Sequence, residues 1–315
     1  MKTIKKIFIL YFLFFIFAAC EKIIEFRGEE TEPYLVVNSI TTTDSVFTSF
    51  LSKSLFIFSE EANDSTNFPL TNGKIDLYVN GEFWETIPHT EKGAYQSTYR
   101  AQAGDTVRIE ASAPNFNTIS ATGYFPSKST ILSLDTIVSK EVESGNTIIN
   151  CKLKFQDNAA VTDYYRMYST LSFDTLQVIR DPKTQIIIAT KVKNFKREIS
   201  RSNDPVFYDD DDAFASNRYF IFNDKKITGE TYTIEYSMSF SLPKSAFNVF
   251  INVDLQTISS DIYKYLKSLN DFNSISGMMS SEPVKIYSNV HGGLGIIGGI
   301  TSNVVSREIK LICKL

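Results

Sequence analysis

Thr71-Asn72-Gly73-Lys74-Ile75-Asp76-Leu77-Tyr78-Val79-Asn80-Gly81-Glu82-Phe83-Trp84-Glu85-Thr86-Ile87 alternates apolar and polar side chains around an Asn-Gly pair. Ile75, Leu77 and Val79 recur at every second position, the period that lines one face of a strand. Asn80-Gly81 follows at once, and Asn-Gly supplies the positive φ that both central positions of a type I′ turn require. The segment is therefore a β-hairpin with strands at 74–79 and 82–87. Phe83 and Trp84 are neighbours and point to opposite faces, so one of them is expected to pack into the core.

The same alternation extends in both directions. Tyr34 to Ile40 and Val46 to Leu51 are short β runs before the hairpin, separated from it by a polar loop at 60–66. After it come Gly93-Ala94-Tyr95, Thr106 to Ala111 behind the Ala103-Gly104-Asp105 turn, and Asn117 to Phe125. Seven short strands with turn signals between them predict an immunoglobulin-like β-sandwich over 33–126. From Ser127 the pattern restarts as a larger β-rich domain over 127–315. Strands are expected at 148–155, 164–173, 175–179, 185–192, 218–222, 231–242, 247–255, 285–288 and 304–314. One helix interrupts them near 260–270, where Ser259 or Ser260 can cap a stripe of Ile262, Tyr265, Leu266 and Leu269 at i, i+3, i+4 and i+7. Asn270 to Glu282 and the glycine cluster Gly292 to Gly299 are expected as loops. The fold class is mainly β.

The amino terminus has a different character. Lys2, Lys5 and Lys6 lead into the apolar run Ile7 to Phe17, and Ala18-Ala19 precede Cys20. The run is too short for the roughly 20 residues that span a bilayer, and small residues before the cysteine mark a processing site. Residues 1–19 are expected to be a signal peptide resembling that of bacterial lipoproteins, with Cys20 acylated as the first mature residue. Glu21 to Glu32 is an acidic tether that, extended, reaches up to ~40 Å. Removing residues 1–19 takes three of the 32 basic residues and leaves 29 against 36 acidic ones, a net charge of −7. That balance argues against a nucleic-acid partner.

Cys151 and Cys313 are the even remainder once Cys20 is set aside, in a compartment that permits disulfides. Two alternatives stand: a bridge across the carboxyl-terminal domain, or two independently buried thiols.

Tyr34-Leu35-Val36-Val37-Asn38, the Asn-Gly sandwich, Asp261-Ile262-Tyr263-Lys264-Tyr265-Leu266 and Ile286-Tyr287-Ser288-Asn289-Val290-His291-Gly292-Gly293-Leu294-Gly295-Ile296-Ile297-Gly298, following a lipobox cysteine, together resemble the DUF4249 family of Bacteroidetes lipoproteins. The likeness covers essentially the whole mature chain, although Gly292 and Ile297 depart from the family's usual Asn-Gly-Leu-Gly pattern with an aromatic before the last glycine. The resemblance implies an outer-membrane lipoprotein, displayed at the cell surface, that serves as an accessory or ligand-capture partner of a TonB-dependent nutrient transporter. It implies no catalytic residues. The alternatives are a surface adhesin or envelope scaffold, or a hydrolase built on an unrecognised site. Five tripeptides, beginning at Asp44, Asp64, Asp105, Asp135 and Asp174, resemble the Asp-Ser/Thr-apolar O-glycosylation signal of exported Bacteroidetes proteins; each also fits a turn entering a strand.

Chemical motifs are few. Gly293-Leu294-Gly295-Ile296-Ile297-Gly298 matches G-x-G-x-x-G in letters, but no helix follows it and no acidic residue sits at the ribose spacing, so no dinucleotide is expected. Its glycines fit a loop closing against the sheet or a partner's backbone approaching closely. Asp204 and Asp209 to Asp212 offer oxygen ligands without the alternating spacing of a calcium loop, so no metal is expected. His89 and His291 are the only histidines, and no zinc or nucleophile-elbow motif includes them. The candidate site residues are therefore Cys20 for lipidation, with Asp209, Asp210, Asp211, Asp212, Gly292, Gly293 and Gly295 as candidate partner-contact loops. No cofactor and no enzyme activity are expected.

Overall fold

Seven strands occupy the amino-terminal third: β1 (Leu35–Thr42), β2 (Val46–Lys53), β3 (Lys74–Val79), β4 (Glu82–Thr86), β5 (Ala94–Arg100), β6 (Thr106–Ser112) and β7 (Ile119–Tyr124). The β3–β4 hairpin turns through Asn80 and Gly81 at φ 52° and 92°, the positive values that an Asn-Gly turn supplies. Inward positions of these strands make one core, including Val37, Phe47, Leu51, Ile75, Leu77, Tyr95, Ile109 and Ile119. Strands β1, β2 and β5 contribute from one sheet, and β3, β6 and β7 from another. The layout is a sandwich. In a constant-type immunoglobulin domain the fourth strand lies beside the fifth; here β4 lies beside β3.

The structure is a computed structural model and describes residues 32–56, 68–140, 146–198, 204–208, 217–243, 245–275 and 284–310. Its remaining elements are β8 (Thr130–Lys140), β9 (Thr147–Gln156), β10 (Tyr164–Arg180), β11 (Ile187–Glu198), β12 (Ile221–Asn223), β13 (Thr231–Phe240), β14 (Phe247–Ile258), α1 (Ser260–Ile275), β15 (Val290–His291), β16 (Leu294–Thr301) and β17 (Val304–Glu308). A nine-stranded sheet runs β11-β10-β14-β16-β1-β2-β5, with β12 beside β10 and β17 beside β14. A three-stranded sheet runs β13-β9-β8, and a five-stranded one β15-β7-β6-β3-β4.

Several elements differ from the sequence expectation, each for a local reason. β8 was not expected, because a register shift between Ile131 and Ser133 breaks the period-two pattern and leaves Leu132 exposed. β10 is one strand rather than two: Asp174 reads as a break, but its carboxylate accepts hydrogen bonds from the Asn194 and Asn248 side chains. Helix α1 continues past Asn270, whose side-chain oxygen accepts from the Arg218 N–H at 3.0 Å and so does not compete with the helical backbone. Residues 285–288 form no strand; the pairing falls two residues later, where Val290 and His291 join β7.

The largest correction concerns the glycine cluster. Leu294–Thr301 is not a loop but β16, an interior strand of the nine-stranded sheet, parallel to β1 from Val36↔Leu294 to Thr42↔Ile300. Residues 296–300 are all buried, as expected of a parallel strand covered on both faces. A Cβ on Gly298 would lie 2.5 Å from Ser259 Oγ and 2.7 Å from an Ile262 carbon on α1. One on Gly299 would lie 2.5 Å from the Phe125 ring. The glycines thus let a helix and the β7 corner approach the strand from opposite sides.

Through the β1–β16 pairing, one sheet crosses the boundary placed at Pro126, and Pro33–Leu315 forms one compact unit. The cores nevertheless remain distinct. The second core, between the three-stranded sheet and β10 and β14, includes Ile149, Leu153, Phe155, Tyr165, Leu171, Phe222, Ile251 and Leu255.

Candidate functional site

Residues singled out by sequence fall in different places. Cys20, Cys313, Asp209, Asp210, Asp211 and Asp212 lie outside the described residues. Gly292 is an exposed turn residue at φ 80°. Gly293 and Gly295 face the chain itself: a Cβ on Gly293 would lie 2.5 Å from the Leu35 carbonyl oxygen, and one on Gly295 would overlap the Val37 carbonyl. His89 packs edge-on against Tyr95 at 5.2 Å, and His291 sits in β15 opposite Ser120. Among the described residues no group of three or more His, Cys, Asp or Glu side chains could hold a metal ion.

The expectation that Phe83 or Trp84 packs into the core is corrected: both are more than half exposed, at 56% and 52%. β4 is the edge of its sheet, paired with β3 alone among the described strands, so each ring is covered only in part. Phe83 meets the Tyr78 ring edge-on, and Trp84 meets Tyr99.

Cys151 is buried in the second core opposite Tyr236. Burial raises its thiol pKa to about 11, against a smaller lowering by the Tyr236 hydrogen bond.

The surface with the densest chemistry is the outer face of the nine-stranded sheet, across β11, β10, β14 and β17. Alternation decides which residues reach it. Tyr165, Met167 and Leu171 turn into the core, so Arg166, Tyr168, Thr170, Ser172 and Asp174 turn outward. On β14 the outward set is Phe250, Asn252, Asp254 and Gln256, paired in register with Ser172, Thr170, Tyr168 and Arg166. Two adjoining depressions follow, of about 560 Å³ around Tyr168, Thr170, Lys196, Asn252 and Asp254, and about 500 Å³ around Ser172, Asp174, Asn194, Asn248 and Phe250.

These side chains hold one another in place. Asn252 donates to Ser172 Oγ at 3.1 Å and accepts from the Ser306 hydroxyl at 2.6 Å. Asp254 accepts from Gln256 at 2.7 Å and from the Ser302 hydroxyl at 2.6 Å. The Arg166 guanidinium lies over the Tyr168 ring, 4.2 Å from its centroid. Arg166 Nε and Gln256 Oε1 are buried and find no hydrogen-bond partner among the described residues, and buried polar atoms are normally paired. The face therefore offers amides, hydroxyls, both signs of charge and an aromatic ring over a broad, open area. No sequence pattern marked it, because its residues come from four strands and meet only through pairing.

A larger depression, about 830 Å³, lies between β9, β13 and Asp204-Pro205. Its buried carboxylate is committed to the fold. Asp204 accepts from Val206 N at 3.0 Å, Tyr232 Oη at 2.7 Å and Glu235 N at 2.9 Å, closing the free edge of β13. A separate carboxylate group surrounds Tyr165, whose hydroxyl donates to Asp157 at 2.6 Å and lies 3.4 Å from Asp163. Asp224 accepts from the Asp163 N–H at 2.8 Å. Burial, then the charges of Asp157 and Asp224, raise the Asp163 pKa to about 6.

No curated protein sequence is significantly similar to this chain. A family model described as a domain of unknown function, DUF4249, matches residues 21–305. With that match spanning both cores, the outer sheet face and the buried glycine strand, the chain belongs to the DUF4249 family.

Proposed function

We propose that this protein is a non-enzymatic, lipid-anchored outer-membrane protein that acts as an accessory or ligand-capture partner of a TonB-dependent nutrient transporter. The observation that carries the reading is the outer face of the nine-stranded sheet. Tyr168, Lys196, Asn252 and Asp254 line an open depression, suited to holding a hydroxyl- or amide-rich ligand by several hydrogen bonds and one ring. Support for the address comes from Cys20 behind its basic and apolar leader, and for the transporter from the resemblance to Bacteroidetes lipoproteins. The amino-terminal sandwich is a suitable rigid stand for such a face.

Mild extraction of outer membranes tests the reading. The tagged protein is expected to bring a TonB-dependent transporter with it in stoichiometric amount. Tyr168→Ala with Lys196→Ala is expected to slow uptake of the transported nutrient without releasing the transporter. Recovery of the protein alone, with uptake unchanged in cells lacking it, would refute the proposal. A second reading, a surface adhesin or envelope scaffold, is favoured by edge strand β4, where Phe83 and Trp84 are both exposed. It predicts that Trp84→Ala weakens cell attachment while uptake is untouched.

A further inference from the structure

The ends of β10 and β11 leave the body of the sheet as a two-stranded arm. β14 last pairs with β10 at Asp174↔Phe247, whereas β11 follows β10 as far as Arg180↔Ile187. Beyond Asp174 the ribbon has no third strand among the described residues, and β11 is the terminal strand of its sheet. Yet the arm is apolar. Leu176, Val178, Ile179, Ile186, Ile187 and Val192 are all between 40% and 65% exposed. Leu176 stands opposite Val192 and shares a face with Val178, while Ile179 lies on the other face. A bare two-stranded ribbon is marginal in water, and one apolar on both faces calls for cover.

Charge narrows the choice of cover. Residues 175–193, the arm itself, contain four basic residues against one acidic one, in a chain of net charge −4. A second copy of the chain would set the lysines of one β11 edge against those of the other, and lysine on an edge strand opposes pairing. A flat protein surface covers one face of a ribbon. A lipid interface surrounds both faces and brings phosphates to the lysines. The tip suits such a place because its polar groups are satisfied internally. Asp181 accepts from the Lys183 and Thr184 N–H groups at 2.9 and 2.7 Å, and Arg180 donates to the Gln185 carbonyl at 2.9 Å.

We propose that the β10–β11 arm dips into the headgroup region of an anionic, phosphate-bearing lipid surface, burying Ile179, Ile186 and Ile187 while Arg180 and Lys183 meet the phosphates. Interfacial segments of this kind reach about 5–10 Å deep, and long basic side chains keep their charge at the headgroups. The contact is independent of the capture reading and of the acyl anchor. It gives the sheet face a fixed orientation to the membrane, which a flexible tether alone does not.

The test is flotation of the mature chain carrying Cys20→Ala, so that no acyl chain contributes. Vesicles are either equal parts phosphatidylglycerol and phosphatidylcholine, or phosphatidylcholine alone. The protein is expected to float with the anionic vesicles and about tenfold less with the neutral ones. Ile186→Asp with Ile187→Asp is expected to abolish flotation, and Lys183→Glu to weaken it about fivefold. All three side chains are exposed, so an unchanged circular dichroism spectrum separates lost binding from lost fold. Equal flotation with both vesicle types, or flotation indifferent to both variants, would overturn the proposal. So would a failure to float accompanied by self-association that Ile186→Asp removes, which would assign the arm to a second copy.

Discussion

Gly295 and Val37 occupy a space in which only a hydrogen fits: a Cβ on Gly295 would overlap the Val37 carbonyl, and Gly295 sits at φ 125°. Asn38 crowds the same position, its side-chain oxygen lying 3.1 Å from that Cβ while accepting from the Ile296 N–H at 3.2 Å. Both strain and overlap oppose any side chain here. Gly295→Ala is therefore expected to cost about 3 kcal/mol or more. Gly292 shares the positive φ, but its nearest neighbour to a new Cβ is 3.5 Å away, so Gly292→Ala is expected to cost only about 1 kcal/mol. Urea midpoints of the two variants check the difference. Equal midpoints would mean that β16 does not pair with β1 as described.

The carboxylates around Tyr165 make stability depend on pH. Asp163 has a folded pKa of about 6 against an ordinary value of 3.8, so between those values the folded state binds the extra proton. Its contribution is thus fully present below about pH 4 and lost as pH rises through about 6. Asp163→Asn removes the repulsion from Asp157 and Asp224. It is expected to raise stability by about 1–2 kcal/mol at about pH 8, a two-unit shift reduced for partial exposure, with the gain vanishing near pH 4. Parallel stability profiles for the two proteins would show that Asp163 is ionised without penalty.

What the sequence made legible follows from how far each signal reaches along the chain. The Asn80-Gly81 hairpin and the seven amino-terminal strands depend on neighbours within a few residues, and they are present. The stripe Ile262, Tyr265, Leu266 and Leu269 likewise located α1. β16 was hidden because glycine weakens an isolated strand; its need for glycine comes from β1, β7 and α1, distant in sequence. β8 was hidden by a bulge, and the exposure of Trp84 by the edge position of β4. The outer face was least legible of all. Arg166 and Gln256 become neighbours only through the β10–β14 register, and nothing local in either strand announces a binding surface.

Burial makes a direct claim about thiol chemistry. Cys151, with its pKa raised to about 11, is mostly protonated at neutral pH and shielded from reagents. In the mature chain carrying Cys20→Ala and Cys313→Ser, labelling by iodoacetamide is expected to be negligible in buffer and complete in denaturant. Rapid labelling of the folded protein would contradict the packing of β9 against Tyr236.

The depression beside Asp204 gives the sharpest contrast between a structural and a surface charge. Asp204 is buried and accepts from Val206 N, Tyr232 Oη and Glu235 N, so Asp204→Ala strands the buried Val206 N–H and two part-buried donors and opens the β13 edge. A cost of about 3–4 kcal/mol is expected. Lys152 lines the same depression and pairs with Glu235 at 2.7 Å, but both side chains are more than half exposed. Lys152→Ala is expected to change stability by no more than about 0.5 kcal/mol. Asp204→Asn keeps the shape while replacing one acceptor by a donor, so it should recover only part of the loss. If thermal unfolding placed Asp204→Ala within a degree or so of the parent, Asp204 would not be closing the sheet edge, and the depression would become a stronger candidate for binding than the outer face.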